Sequence, residues 1–345
     1  MTDIDPVGIL EHYEIGTAQE IRAAGGTAGR TWKVLARSGT YFLRLRGVRT
    51  STEARLRFDH GLREHLAAGG VPTATAIRTR TGAQWVRERD RVCELYPFVE
   101  GRAFRSESET ELANAARALA RFHTVAASYS PPSAENEPVA QYTCLGFSDA
   151  VSARMEDPDL QLTNLQAVRE LADDADQRTA VDWAIERVQR LSETYAGPAY
   201  EPLTGWIIHG DYTPANLLFS EDGLVRGIFD LDWAFPGARV RDVADGMYFF
   251  ARRPRKIDTG NIWSLTDAAA FDAARCRAFL QAYNAETPLT AAEKTTIPAA
   301  FAGRWFSIRL EGMAKVPADE RIRFFSRGIR KPIRWLDAHW HEVAG

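Results

Sequence analysis

A change of pattern close to Gly101 divides this chain into a strand-rich first part and a mainly helical remainder. Three short runs of β-favouring residues come first, at 18–23, 31–36 and 40–45, and residues 37–39 suit a tight turn between the last two. Strands joined by such short turns pair antiparallel, because a parallel pair needs a long crossover. The first part of the chain therefore predicts a small antiparallel sheet.

One helix interrupts the strands of this first part. Thr50 or Ser51 can cap its first turn, apolar residues then recur at helical spacing, and Gly70 stands at its end. Two further strands are expected beyond the helix, at 75–79 and 86–95, on either side of a polar turn. The first part thus predicts a sheet accompanied by a single helix.

Helical patterns dominate the rest of the chain. Residues 111–126 are rich in alanine and leucine, and the apolar residues of 181–191 line one helix face. A β pattern returns only at 206–208 and 225–231, where two short runs bracket a polar loop and a hairpin. The polar loop is therefore held between strands inside an otherwise helical region.

The length of 345 residues suits two packed lobes. We predict an α+β fold in which residues 1–101 form the smaller lobe, an antiparallel sheet with one helix. Residues 102–345 form the larger, mainly helical lobe. A chain of this size can bury a substantial hydrophobic core.

The composition excludes several classes of protein. Hydrophobic residues make up 45% and charged residues 26% of the chain, which is the balance of a globular protein rather than a disordered one. No apolar stretch is long enough to span a membrane, and the first residues lack the pattern of a secretory signal. The three cysteines lie too far apart for a zinc or redox pair. We therefore expect a cytoplasmic protein with no membrane partner.

Charge is distributed unevenly, although the net charge is only −3. Residues 101–250 contain 12 basic and 24 acidic side chains, whereas residues 251–345 contain 16 basic and 10 acidic ones. Such blocks are most often solvated helix faces, and the alternative is an acidic centre that handles a metal ion or a cationic substrate. No basic stripe alternates with aromatic residues, so nucleic-acid binding is not expected.

The polar loop at 209–219 carries the most informative residues. Asp211 and Asn216 stand five residues apart, and Asp230 follows at the end of the next β run. Phosphoryl transfer requires a carboxylate that orients the attacking hydroxyl, together with a carboxylate and an amide oxygen that hold Mg²⁺. A hairpin between the two runs would bring Asn216 and Asp230 together. Asp232 shares a face with Asp230 by strand alternation, so it could assist a second Mg²⁺ or pair with an arginine.

This pattern resembles the aminoglycoside phosphotransferase, choline kinase and type II homoserine kinase superfamily, which shares the protein-kinase-like fold. The resemblance rests on His209-Gly210-Asp211, on Asn216 and on the spacing to Asp230. It implies that Asp211 is the catalytic base and that Asn216 and Asp230 are the metal ligands. It further implies that His209 braces the loop and that Asp242 supports it.

The same resemblance assigns a phosphate-binding cation and its acidic partner to the small lobe. Arg44 stands at the position of the family's lysine on the third strand, and Arg46, on the same face, is the alternative. Asp59 matches the family's helix glutamate and points inward by helical spacing, while Glu53 and Glu64 stay open as alternatives. The resemblance thus implies an Arg44–Asp59 pair beside the ATP phosphates.

Backbone groups of the small lobe are expected to complete the nucleotide site. Gly25, Gly26 and Thr27 lie between the first two strands, where glycines let the backbone approach phosphates. The segment containing Pro97 and Val99 resembles the hinge between the lobes. By that resemblance the Pro97 carbonyl accepts from the adenine amino group and the Val99 N–H donates to the ring.

The sequence therefore predicts a kinase that uses ATP and Mg²⁺ to phosphorylate a hydroxyl of a small molecule. The acceptor classes left open are amino alcohols, homoserine-like amino acids, amino sugars and aminoglycosides. The net positive charge of residues 251–345 favours the less cationic of these. A protein serine/threonine kinase on the same fold and a nucleotide-binding pseudokinase are the alternative functions. The oligomeric state is not predicted.

Overall fold

The structure is a computed structural model that describes most of the chain. The described residues are 4–24, 31–130, 141–142, 151–152, 157–252, 261–267 and 270–345. The predicted phosphate-binding residues Gly25, Gly26 and Thr27 lie outside the described residues.

An antiparallel sheet forms the small lobe. Its five strands are β1 (Ala18–Ala24), β2 (Thr31–Ala36), β3 (Gly39–Leu45), β4 (Val86–Glu88) and β5 (Arg91–Pro97). They lie in the order β1-β2-β3-β5-β4. Val34, Leu43 and Leu95 are fully buried on the inner face, because alternate residues of a strand point to the same side.

Two details of the predicted small lobe are wrong. Residues 75–79 form no strand: Ile77 N donates to Leu95 O at 2.7 Å, and Thr79 makes a single bridge to Tyr13. The predicted strand over 86–95 is a hairpin, which turns at Arg89 with a left-handed φ of 57°. Neither feature has a signal in the sequence. The single backbone contacts of 75–79 and the charged turn at Arg89 do not produce a pattern of alternating hydrophobic residues.

Helices occur in both parts of the chain. They are α1 (Pro6–Leu10), α2 (Glu53–Ala68), α3 (Glu109–Ala126), α4 (Pro158–Glu170), α5 (Ala175–Ala196), α6 (Val240–Phe250), α7 (Ala273–Glu286), α8 (Ala291–Met313), α9 (Arg321–Ser326) and α10 (Lys331–Ala344). Thr52 caps α2, one or two residues later than predicted, and its side chain accepts from Arg55 N. In the described part of the chain, none of the helices has the length and apolar character to cross a membrane.

Short strand pairs interrupt the helical lobe. They are β6 (Gln141–Tyr142) with β7 (Val151–Ser152), β8 (Trp206–Ile208) with β11 (Phe235–Gly237), and β9 (Leu217–Phe219) with β10 (Val225–Ile228). The last two pairs enclose the polar loop that the sequence singled out. The strand runs predicted at 206–208 and 225–231 thus hold that loop, although the second ends at Ile228.

The hydrophobic core consists of two clusters of buried residues. The inner face of the sheet packs with α1 in the smaller cluster. Phe58, Leu62 and Leu66 of α2 belong instead to the larger cluster, together with Leu112 and Leu119 of α3. The helix that follows β3 is therefore anchored on the helical lobe, and this places its polar face between the two lobes.

Candidate active site

The backbone of the polar loop is held by one buried carboxylate. Asp242, near the start of α6, accepts from His209 N at 2.5 Å and from Gly210 N at 2.9 Å. Gly210 has a φ of 82°, and a Cβ at this position would clash with the Trp233 carbonyl. Only glycine fits such a left-handed turn beside another backbone. The turn presents the next residue, Asp211, to the cleft.

Asp242 is itself part of a buried network. His123 Nε2 lies 3.1 Å from its carboxylate, and His123 Nδ1 lies 2.7 Å from the hydroxyl of Tyr283. Burial alone would raise the pKa of Asp242, but the hydrogen bond from His123 and the charge of Arg241 lower it to about 2. The carboxylate is therefore ionised, which strengthens its hydrogen bonds to the loop amides.

His209 braces the loop through both ring nitrogens. Its Nε2 lies 2.9 Å from the Phe229 carbonyl, and its Nδ1 accepts from Asp211 N at 3.2 Å. Burial lowers the pKa of His209, so the neutral ring that donates at Nε2 and accepts at Nδ1 is favoured. This histidine connects the loop to the end of β10.

Asp211 receives two side-chain hydrogen bonds. Asn216 Nδ2 donates to its Oδ2 at 3.0 Å and to its backbone carbonyl at 2.8 Å. Arg304 Nη2, from α8, donates to Oδ1 at 2.8 Å. The Asp211 side chain is 29% exposed. The carboxylate is therefore fixed in orientation and still open to a ligand in the cleft.

Asn216 and Asp230 are brought together by the β9–β10 hairpin. Phe229 N donates to Asn216 O at 2.9 Å, so Asp230 is the neighbour of the residue that lies opposite Asn216. Because Asn216 Nδ2 is used by Asp211, its amide oxygen is turned away, and in the described part of the chain no donor reaches it. An amide oxygen and a carboxylate are donors that Mg²⁺ accepts. The two residues fit the predicted metal site.

The electrostatics of Asp230 also fit a cation site. Burial and the neighbouring Asp232 raise the pKa of Asp230 to about 6, against the lowering effect of Arg44. Asp230 has a left-handed φ of 59°, and Leu231–Trp233 form a single helical turn. The prediction that Asp230 and Asp232 alternate along a strand is therefore wrong. The turn nevertheless brings both carboxylates to the guanidinium of Arg44. A bound cation would favour the ionised form of Asp230.

Arg44 reaches these two carboxylates from the small lobe. It donates to Asp232 at 2.9 and 2.7 Å and to Asp230 at 3.3 Å. Burial opposes its charge, but Asp232 and Asp230 hold the pKa of Arg44 well above its usual range. Arg44 thus extends from β3 across the cleft to Asp230 and to the Leu231–Trp233 turn.

The predicted pair between Arg44 and Asp59 is wrong, because Asp59 pairs with Arg46. Arg46 Nη1 donates to Asp59 at 2.6 Å and to Glu94 at 2.9 Å. The arginine and both acids are fully buried. Arg63, one turn along α2, donates to Asp59 at 3.0 Å. Burial would raise the pKa of Asp59, and these two arginines hold it well below its usual range.

The Asp232 carboxylate forms ion pairs with two arginines and accepts a hydrogen bond from one hydroxyl. Besides the two bonds from Arg44, it lies 3.1 Å from Arg46 Nη2 and accepts from Thr50 Oγ1 at 2.9 Å. Of the two predicted roles for Asp232, the structure shows the ion pair. Arg55 of α2 also donates to the carbonyls that flank this turn, those of Leu231 and Ala234. Together these bonds tie the small lobe to the Leu231–Trp233 turn.

The connection between the lobes passes beside the hairpin. Phe98 N donates to Thr40 O at 3.0 Å, which ends β5 against the start of β3. Arg102 and Phe219 exchange backbone hydrogen bonds of 2.9 and 2.8 Å. Pro97 and Val99 lie on this segment, and their contacts with adenine stay a prediction.

The sequence singled out neither Arg304 nor its second partner. Arg304 Nε donates to Asp245 Oδ1 at 2.9 Å, and the same carboxylate accepts from Arg241 at 3.0 Å. A signal was present, because Arg304 and Arg309 stand in a long apolar run of α8. Cations rarely lie in a buried helix unless they are paired.

Two bacterial homoserine kinases are similar to this chain in sequence. A homoserine kinase of Xanthobacter autotrophicus is 26% identical over 342 residues, which cover 93% of this chain and 90% of that protein. A homoserine kinase of Methylobacterium nodulans is 28% identical over 318 residues, covering 91% and 87%.

Solved structures share the fold at lower identity. An amicoumacin kinase in complex with AMP-PNP and Ca²⁺ has a TM-score of 0.67 at 15% identity and covers 93% of this chain and 91% of its own. A microcompartment-associated aminopropanol kinase has a TM-score of 0.61 at 16% identity, with 98% of both chains covered. The predicted two-lobed, kinase-like α+β fold is confirmed.

The sequence model of the phosphotransferase enzyme family matches residues 20–290. This match covers most of the chain, including β1 from its third residue, β2 to β5, the polar loop and the Leu231–Trp233 turn. With a kinase fold around Asp211, Asn216 and Asp230, the chain belongs to the phosphotransferase enzyme family and is a small-molecule kinase.

Proposed function

We propose that this kinase transfers the γ-phosphate of ATP to a hydroxyl group of a small molecule, with Asp211 as the catalytic base. The observation that supports this best is the arrangement of the polar loop. Asp242 holds the backbone of the loop, Asn216 holds the Asp211 carboxylate, and that carboxylate faces the cleft. A carboxylate fixed in this way can orient an attacking hydroxyl.

The proposed reaction is a direct in-line displacement. The acceptor oxygen forms a bond to the γ-phosphorus while the bond from that phosphorus to the ADP oxygen breaks. Asp211 accepts the proton that the hydroxyl loses. Arg44, which extends across the cleft, compensates negative charge on the phosphates. Asn216 and Asp230 would hold Mg²⁺, which supplies further charge neutralisation when it is bound.

The nucleotide and the acceptor would bind to different lobes. Residues 1–101 would bind the nucleotide, with Pro97 and Val99 at the adenine and Gly25, Gly26 and Thr27 at the phosphates. Residues 102–345 would bind the acceptor. We propose an acceptor that is a small amino alcohol or hydroxylated amino acid. Support comes from the homoserine kinases that are similar over nearly the whole chain.

The test is a comparison of Asp211→Asn with the wild type by ADP release. Removing the proton acceptor is expected to lower kcat by at least about a thousandfold. Binding of an ATP analogue, measured by fluorescence, should persist because Asp211 is not a nucleotide ligand. Asp222→Asn, an exposed aspartate of the β9–β10 hairpin, is the matched control and should keep full activity. Normal turnover by Asp211→Asn would contradict the assignment.

The acceptor class is tested by an ADP-release screen of the wild type. The panel contains L-homoserine, straight-chain aminopropanol, choline, glucosamine and kanamycin. We expect stimulation by the small amino alcohol or amino acid members and none by kanamycin. Stimulation by no member of the panel would contradict a small hydroxylated acceptor of these classes.

A further inference from the structure

Arg304 is a cation held directly against the proposed catalytic base. Its Nη2 donates to Asp211 Oδ1 at 2.8 Å, and its Nε donates to Asp245 Oδ1 at 2.9 Å. The third nitrogen, Nη1, has no hydrogen-bond partner among the residues that the structure describes. It is also not a fully buried atom. The side chain is 11% exposed. One edge of the guanidinium therefore faces the cleft beside Asp211.

The position of Arg304 is fixed from behind. Asp245 is fully buried on α6, and its other oxygen accepts from Arg241 at 3.0 Å. Burial would lower the pKa of Arg304, but Asp245 and Asp211 raise it above its usual value. Asp245 is thus shared by two arginines, of which Arg241 also lies 3.5 Å from Asp242. The head of Arg304 is therefore a preorganised cation held between Asp245 and Asp211.

A purely structural role for Arg304 explains its bond to Asp245 but not its bond to Asp211. Asp245 would suffice to hold a structural arginine, whereas Arg304 also engages the carboxylate that must meet the acceptor. When the acceptor hydroxyl approaches Asp211, the cationic edge made by Nη1 and Nη2 lies next to the acceptor. A planar guanidinium edge with two donors matches a carboxylate in geometry and in charge.

We propose that Arg304 binds a carboxylate of the acceptor, so that the substrate is a hydroxylated amino acid rather than an amino alcohol, an amino sugar or an aminoglycoside. This inference rests on the proposed function of Asp211. The spacing suits a short acceptor, since Arg304 Nη2 and Asp211 Oδ1 are 2.8 Å apart. In homoserine, three carbons separate the hydroxyl oxygen from the carboxyl carbon, and such a chain spans about 5 Å.

The experiment compares three probes that differ by one group each. L-homoserine carries the carboxylate and the ammonium, straight-chain aminopropanol lacks the carboxylate, and γ-hydroxybutyrate lacks the ammonium. For Arg304→Gln, kcat/KM for L-homoserine should fall about tenfold to a hundredfold more than kcat/KM for aminopropanol. Arg304→Lys keeps the charge and should retain part of the preference. Lys294→Gln removes an exposed cation from the same helix and should change neither ratio.

Binding is measured separately from turnover, by saturation-transfer NMR with L-homoserine and with aminopropanol. We expect the wild type to bind L-homoserine and Arg304→Gln to lose that signal while its melting temperature is kept. If Arg304→Gln does not fold, Arg304→Lys is compared with the wild type in the same way. This readout does not depend on phosphate transfer, so it separates failure of this inference from failure of the proposed function.

Each outcome decides the question. Equal losses for L-homoserine and aminopropanol in Arg304→Gln would show that Arg304 only positions Asp211, and would overturn the proposal. A wild type that turns over the probes but shows no preference for those that bear a carboxylate would overturn it as well. If neither these probes nor any member of the acceptor panel supports ADP release, the proposed function fails. In that case, Arg304-dependent binding of L-homoserine supports the inference, and absence of such binding overturns it.

Discussion

Asp242→Asn is expected to destabilise the protein and to disorder the catalytic loop. The Asp242 carboxylate accepts from two loop amides, His209 N and Gly210 N, and it contacts His123 and Arg241. An asparagine offers one oxygen in place of two, so at least one buried donor loses its acceptor. A buried donor left unsatisfied costs about 1–3 kcal/mol.

The pKa of Asp242 gives a second measure of the same effect. Its folded value of about 2 lies below the ordinary value of 3.8, which corresponds to about 2 kcal/mol of stability near neutral pH. A carboxyl with a depressed pKa contributes this stability above its unfolded pKa and loses it as the pH falls toward the folded one. The contribution should fall to about 1 kcal/mol near pH 3. Both measures agree on a loss of about 2 kcal/mol at neutral pH for Asp242→Asn.

The assay is urea denaturation of the wild type and the variant at about pH 7 and about pH 3, followed by tryptophan fluorescence. The difference in free energy of unfolding should shrink at the lower pH. Asp319→Asn, an exposed aspartate in the same lobe, is the control and should change stability by less than about 0.5 kcal/mol. A difference for Asp242→Asn below 1 kcal/mol, or one that does not depend on pH, would refute this reasoning.

Three further predictions concern the residues around the cleft. Arg44→Ala should raise the KM for ATP at least about tenfold, whereas Arg46→Ala should lower the free energy of unfolding by about 3–5 kcal/mol, because it removes the ion-pair partner that buried Asp59 and Glu94 share. Steady-state kinetics and denaturation distinguish the two, and the reverse pattern would exchange their roles. Gly210→Ala should cost at least about 2 kcal/mol and most of the activity, because of its positive φ and the Trp233 carbonyl. Gly205→Ala, which meets open space, should cost little in the same assays, and equal effects would contradict the close-approach argument. Asp230→Asn should raise the Mg²⁺ concentration needed for half-maximal ADP release at least about tenfold. An unchanged magnesium titration would show that Asp230 is not a metal ligand.

Much of the catalytic loop could be predicted because its members are close in sequence. Asp211, Asn216 and Asp230 lie within a loop and one hairpin, so local turn geometry already brings them together. The strands of the sheet were also predictable, except where single bridges replaced a regular ladder at 75–79. Local patterns are strong evidence for such elements, since alternation and turn residues are properties of short segments.

The sequence by itself therefore determined the two-lobed arrangement and the loop that carries the acid, the amide and the second acid. Tertiary structure alone decided which charges pair. Arg44 meets Asp232 across 188 residues of chain, and Arg304 meets Asp211 across 93. Arg46 rather than Arg44 takes Asp59, because α2 is anchored on the helical lobe and turns that acid toward the buried end of β3. A buried charge is stable only with a partner, and packing of distant elements, not spacing along the chain, supplies that partner.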